Sequence, residues 1–229
     1  MKELILGGAR SGKSALAEQR ARTSGLEVST IATAEAGDAE MAARIAMHRA
    51  RRPDRWRLVE EPVALAAVLR QEAAAKRCVI VDCLTLWLSN LLADGIEARA
   101  AHHDSRDGGG RTKQDARAEG GCGCGLGADS AIGSSRGPRD RDVASADSAP
   151  VESPLFVRER AALLDALPGL PGHIILIGNE VGLGIVPLGS LSRRFCDEAG
   201  RLHQDLARVC DRVILTVAGL PYVLKGDRL

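Results

Sequence analysis

Eight residues near the start of the chain, Gly7-Gly8-Ala9-Arg10-Ser11-Gly12-Lys13-Ser14, have the spacing G-x-x-x-x-G-K-[ST] that cradles a polyphosphate. Glycines let successive backbone N–H groups turn inward on an anion. A helix that starts here adds the positive end of its dipole. Lys13 then reaches the terminal phosphates, and the Ser14 hydroxyl is a hard ligand for Mg²⁺. The apolar residues Leu4-Ile5-Leu6 before the loop read as a buried strand, and Ser14 to Arg22 after it as a helix. A plain glycine turn is the bland alternative. The agreement of strand, loop and helix speaks against it.

Other residues could complete such a site. Cys78-Val79-Ile80-Val81-Asp82 is an apolar strand ending in an acid, where a phosphate-binding loop upstream makes Asp82 a second metal-linked oxygen. Asp38 can cap a helix on which Met41, Ile45 and His48 share a face. His48 is a nucleophile or base by type, or simply a half-exposed helix residue. Arg49, Arg51 and Arg52 beside it suit phosphate. Glu60 closes a short strand. Its carboxylate can accept both N–H donors of a guanine edge, or stand as an ordinary exposed acid. Asn179-Glu180 ends another strand in a glycine-rich loop, where α/β sheets place ligands, and Glu180 is a candidate base. Asp197-Glu198-Ala199-Gly200 spells D-x-x-G but lies inside a helical pattern, and no N-K-x-D accompanies it.

The elements that must position these groups alternate along the chain. Strands are expected at 2–6, 27–33, 56–60, 78–82, 173–178 and 212–218, with helices at 13–22, 38–51, 63–74, 84–93, 153–167 and 190–209. The strands are continuous apolar runs. They call for a mostly parallel sheet with helices on both faces, an α/β fold. Residues 101–150 break the rhythm: they hold 10 of the 25 glycines and only Leu126, Ile132 and Val143 as large aliphatics. That composition cannot offset its ordering entropy, so about 98–152 reads as a disordered insertion in a single domain.

Composition narrows the function classes. With 31 Lys plus Arg against 30 Asp plus Glu, the net charge of +1 favours neither nucleic acid nor an anionic membrane. Two Trp, one Tyr and two Phe are too few for a base-stacking platform. No segment has the length of a membrane span or the form of a signal peptide. Cys78, Cys196 and Cys210 read as small buried apolar residues in a reducing, cytoplasmic setting. Cys122 and Cys124, with His102 and His103 upstream, lack a second pair at zinc spacing.

Five segments in register carry a resemblance: GGARSGKS at 7–14, IATAEAGDAEMAARIAMHRARRPDRWRLVEEP at 31–62, VDCLTLWLSNLL at 81–92, GNEVGLGIVP at 178–187 and RRFCDEAGRLHQDLA at 193–207. Together they resemble the bifunctional adenosylcobinamide kinase/adenosylcobinamide-phosphate guanylyltransferase family, across nearly everything outside 95–155. The resemblance implies a RecA-like P-loop NTPase fold, often assembled as a trimer, with GTP and ATP as substrates. It implies phosphorylation of adenosylcobinamide, then addition of GMP to give adenosylcobinamide-GDP. His48 matches the histidine that carries GMP. Residues 7–14, Ala32, Thr33, Ala34, Arg49, Ala50, Arg51, Arg52, Glu60 and Asp82 match nucleotide contacts. His203 departs from the pattern, standing where the family usually has Asn. Rival readings are a kinase without guanylyl transfer, a nucleotide-dependent switch or assembly ATPase, and a module that merely holds nucleotide.

Overall fold

The computed structural model describes residues 1–34, 53, 55–93 and 153–227. The helix expected at 38–51 and the insertion expected at 98–152 lie outside them. The apolar runs form strands, and the intervening Ala/Leu/Arg-rich stretches form helices: β1 Lys2–Gly7, α1 Lys13–Thr23, β2 Glu27–Ala32, β3 Arg57–Glu60, α2 Leu65–Glu72, β4 Arg77–Asp82, α3 at 84–93, α4 Pro154–Ala166, β5 His173–Asn179, α5 Ser190–Val209, β6 Arg212–Val217 and β7 Leu220–Lys225. The strand order is β3-β2-β4-β5-β1-β6-β7. Every neighbouring pair from β3 to β6 is parallel, and β7 runs antiparallel to β6.

Alternation along the strands divides the core between two faces. Leu4, Leu6, Val79, Val81, Ile174 and Leu176 point to one face, under α2, α3, α4 and α5. Ile5, Cys78, Ile80, Ile175, Ile177 and Ile214 point to the other, where Ala17 and Ala21 bring α1 close to the sheet. Both faces are therefore covered, which is why the strands read as unbroken apolar runs. This is a mostly parallel α/β sheet covered by helices on both faces, with β5 inserted between the strand that enters the phosphate loop and the strand that ends in Asp82.

Three expectations need correction. Strand β7 has no counterpart in the sequence reading. It is exposed along most of its length, so it offers no buried run, and its turn begins with Ala218 rather than a usual turn residue. Ala218 and Gly219 have φ of 51° and 80°, the pair of positive values a tight hairpin requires. Helix α2 starts at Leu65, not at 63. Glu61 Oε1 accepts the N–H groups of Val63 and Ala64 at 2.9 and 2.7 Å and closes the preceding turn. Cys196 is half-buried, whereas Cys78, Cys83 and Cys210 are buried.

Candidate active site at the carboxyl ends of the strands

Register fixes the layout. Ala32 is level with both Glu60 and Asp82, and Asp82 with Ile177. Two residues further along, Gly7 is level with Asn179 and Thr216. The ends of β3, β2, β4, β5 and β1 thus make one row, and four strand spacings put Glu60 roughly 19 Å from Gly7.

At one end of the row, the phosphate loop leaves β1 and turns directly into α1. Ser11 N–H bonds Gly8 O at 3.2 Å, closing the turn. Gly12 has φ of 96° and is the residue before the helix, a conformation that favours glycine. A β-carbon on Gly7 would fall 2.4 Å from Ser11 Oγ and 2.5 Å from Thr216 O. The hairpin before β7 supports the loop from outside. Gly219 N–H donates to Ser11 O at 2.8 Å, and a β-carbon on Gly12 would meet Gly219 Cα at 3.0 Å. Lys13 and Ser14 open α1. Lys13 Nζ folds back onto Gly8 O at 3.1 Å. Burial pulls the Lys13 ammonium below its usual range, opposed by Cys83 and Asp82. Ser11 Oγ and Thr216 Oγ1 are buried without a hydrogen-bond partner among the described residues.

Further along the row, the ends of β2 and β4 are laced together. Thr33 Oγ1 donates to Cys83 O at 2.7 Å and accepts Cys83 N–H at 2.9 Å, while Thr33 N–H reaches Asp82 O at 3.2 Å. The Asn90 amide donates to Thr33 O at 2.9 Å and Pro62 O at 3.1 Å, tying α3 to the residues after β2 and β3. Burial pushes the Cys83 thiol up, as does neighbouring Asp82. Glu180 follows β5. Its N–H donates to Gly7 O at 3.0 Å, and its Oε1 accepts Gly182 N–H at 2.8 Å. Thr85 Oγ1 accepts Asn179 N–H at 2.6 Å.

The row therefore brings together Gly7 to Ser14, Ala32, Thr33, Ala34, Glu60, Asp82 and Glu180. His48, Arg49, Ala50, Arg51 and Arg52 lie outside the described residues, as do Cys122 and Cys124. Asp197 to Gly200 lie inside α5, as their helical pattern required. Thr85 and Asn90 escaped the sequence reading. Their signal was weak: two of four polar residues, with Asp82 and Ser89, in the mostly apolar stretch 81–92. Among the described residues, no group of three or more His, Cys, Asp or Glu side chains gathers to hold a metal. Ser14 and Asp82 supply hard oxygens of the kind Mg²⁺ takes together with phosphates and water. No described helix is long and apolar enough to cross a membrane.

A family model described as cobinamide kinase/cobinamide phosphate guanyltransferase matches residues 3–119 and 140–224. The chain is 50% identical over 229 residues to the bifunctional adenosylcobalamin biosynthesis protein CobP of Pseudomonas aeruginosa, covering 100% of both chains. It is 32% identical over 222 residues to the bifunctional adenosylcobalamin biosynthesis protein CobU of Escherichia coli, covering 97% of this chain and 98% of the relative. Among solved structures, the RadB recombinase overlays with a TM-score of 0.40 at 15% identity, over 93% of this chain and 73% of that one.

Proposed function

The chain belongs to the cobinamide kinase/cobinamide phosphate guanyltransferase family, and we propose that it performs both reactions along the row of strand ends. It is a bifunctional enzyme of adenosylcobalamin biosynthesis. The full-length 50% match, combined with a complete Gly7–Ser14 loop, carries this reading.

In the kinase step, ATP or GTP lies with its phosphates in the loop. Lys13 and the inward N–H groups stabilise charge on the γ-phosphoryl group as its bond to the β-phosphate oxygen breaks. The hydroxyl of the adenosylcobinamide aminopropanol arm forms the new O–P bond, and Glu180 takes its proton. Ser14 and Asp82 would hold Mg²⁺, which neutralises the phosphates when bound.

In the second step, GTP extends from the loop toward Glu60, whose carboxylate accepts the guanine N–H groups. Ala32, Thr33 and Ala34 line the stretch between them. The neutral imidazole of His48 attacks the α-phosphorus and pyrophosphate leaves. A phosphate oxygen of adenosylcobinamide phosphate then displaces the imidazole, breaking the P–N bond and giving adenosylcobinamide-GDP. Arg49, Arg51 and Arg52, with the Ala50 backbone, neutralise the phosphates during transfer.

The protein acts in the cytoplasm as one P-loop domain without nucleic acid. It assembles as a homo-oligomer, a trimer. The exposed side chains of Leu183, Ile185, Val186 and Leu188 after β5, and of Leu220, Tyr222 and Leu224 on β7, support an assembly. Sedimentation checks it: a single species of monomer mass removes the trimer.

Purified protein, GTP, Mg²⁺ and adenosylcobinamide, with products separated by mass, test the main reading. Adenosylcobinamide phosphate followed by adenosylcobinamide-GDP is the expected sequence. Accumulation of the phosphate alone favours the kinase-only rival, and GTP hydrolysis indifferent to cobinamide favours the switch.

A further inference from the structure

Neither step as assigned uses His203, yet its imidazole is built into the back of the site. His203 lies on the buried face of α5 with Ala199, Leu202 and Leu206 and is 8% exposed. A β-carbon on Gly178 would stand 2.9 Å from His203 Nε2, so the ring fits because residue 178 has no side chain. His203 Nδ1 faces the site, 3.7 Å from Glu180 Oε2. The opposite oxygen, Oε1, already accepts Gly182 N–H at 2.8 Å, and the Glu180 backbone is tied to Gly7. The carboxylate thus has a backbone donor on one oxygen and an imidazole on the other. Burial pushes the imidazole pKa down, with Glu180 opposing, which favours the neutral ring. A neutral ring that carries its proton on Nδ1 presents an N–H to the carboxylate. The 3.7 Å separation is longer than a hydrogen bond, and catalytic contacts of this kind tighten as substrate binds.

We propose that His203 is a positioning residue for the kinase step: its Nδ1–H anchors Glu180 Oε2 so that the carboxylate cannot rotate away from the phosphate loop. The inference rests on the assignment of Glu180 as the kinase base. It predicts that position 203 requires a donor at the reach of Nδ1, which Asn provides and Gln, whose amide reaches where Nε2 lies, does not.

The test measures kcat and KM of the kinase step in wild type, His203→Asn, His203→Gln, His203→Leu, Glu180→Gln and the double variant His203→Leu/Glu180→Gln. Guanylyl transfer to supplied adenosylcobinamide phosphate serves as the control. Loss of a general base costs about 10²-fold or more, and loss of its anchor about 10-fold. His203→Gln and His203→Leu are expected to lower kinase kcat about 10-fold with nucleotide KM and guanylyl transfer unchanged. His203→Asn should stay near wild type, and the double variant no worse than Glu180→Gln alone. If Glu180→Gln keeps the wild-type rate, the base assignment fails and the inference with it. If Glu180→Gln is slow while all three His203 variants match wild type, only the positioning role fails. Equal loss in Asn and Gln variants, equal loss in both reactions, or a multiplied loss in the double variant overturns it in favour of plain packing. Should His203→Leu fail to fold, the Asn and Gln pair still decides.

Discussion

The two ends of the sheet treat charge in opposite ways. At the amino ends, carboxylates are buried and matched. Glu3 is fully buried, with Arg20 in a two-pronged pair, Arg212 at 2.8 Å and His173 at 3.4 Å. Glu72 is 4% exposed and meets Ser29 at 2.9 Å, Arg57 at 3.0 Å and Arg77 at 3.4 Å. These groups bind α1, β6 and β5 to β1, and α2 to β2, β3 and β4. At the carboxyl ends, Lys13 Nζ bonds the Gly8 carbonyl oxygen, and among the described residues Ser11 Oγ and Thr216 Oγ1 are buried without partners. A buried charge with its counter-ions holds a fold together. A cation at the head of a glycine-rich phosphate loop is arranged for a ligand that brings the opposite charge.

That contrast predicts where each substitution acts. Glu3→Ala leaves Arg20 and Arg212 without their carboxylate and should cost about 3–5 kcal/mol of stability, read by denaturant unfolding. A loss under about 1 kcal/mol would show that the amino-end cluster is ornamental. Lys13→Ala is the mirror case: kinase kcat should fall about 10²–10³-fold while the unfolding midpoint barely moves. If stability falls with activity, Lys13 belongs to the structural end of the molecule.

Acid sharpens the same comparison. Burial alone would raise the Glu3 pKa, but bonds from His173 and Arg20 outweigh it and hold it at about 2, below the ordinary 4.5. The folded state therefore binds fewer protons than the unfolded chain. The stabilisation is complete above pH 4.5 and is lost as pH falls toward 2, about 3 kcal/mol in all. His203 works in the same direction at higher pH: with its folded pKa lowered, stability begins to fall below the unfolded value near 6.5. Unfolding curves between pH 7 and pH 3 check both, and His203→Asn should remove the upper part of the decline. A smaller effect belongs to Asn90→Ala, which drops two bonds to carbonyls after β2 and β3 and should cost about 1–2 kcal/mol.

Local chemistry was legible where one stretch of chain carried all of it. Gly7 to Ser14 names its own strand, loop and helix, and the apolar runs at β4 and β5 announce buried strands ending in Asp82 and Asn179-Glu180. What stayed hidden depends on strand order. Thr33 meets Cys83 because β2 pairs with β4, 50 residues on, and Glu180 meets Gly7 because β5 pairs with β1. No spacing encodes those neighbours. His203 looked like a departure from a family pattern; only the packing of α5 under Gly178 puts its ring behind Glu180. Strand β7 was hidden because its side chains are exposed, and burial is what writes a strand into a sequence.

The proposed guanylyl transfer requires a covalent bond between GMP and the chain. Protein incubated with α-labelled GTP and Mg²⁺ should retain acid-labile label at a stoichiometry approaching one per chain. His48→Ala should retain none while still phosphorylating adenosylcobinamide. Label that persists in His48→Ala, or a wild-type protein that makes adenosylcobinamide-GDP without ever becoming labelled, would contradict it.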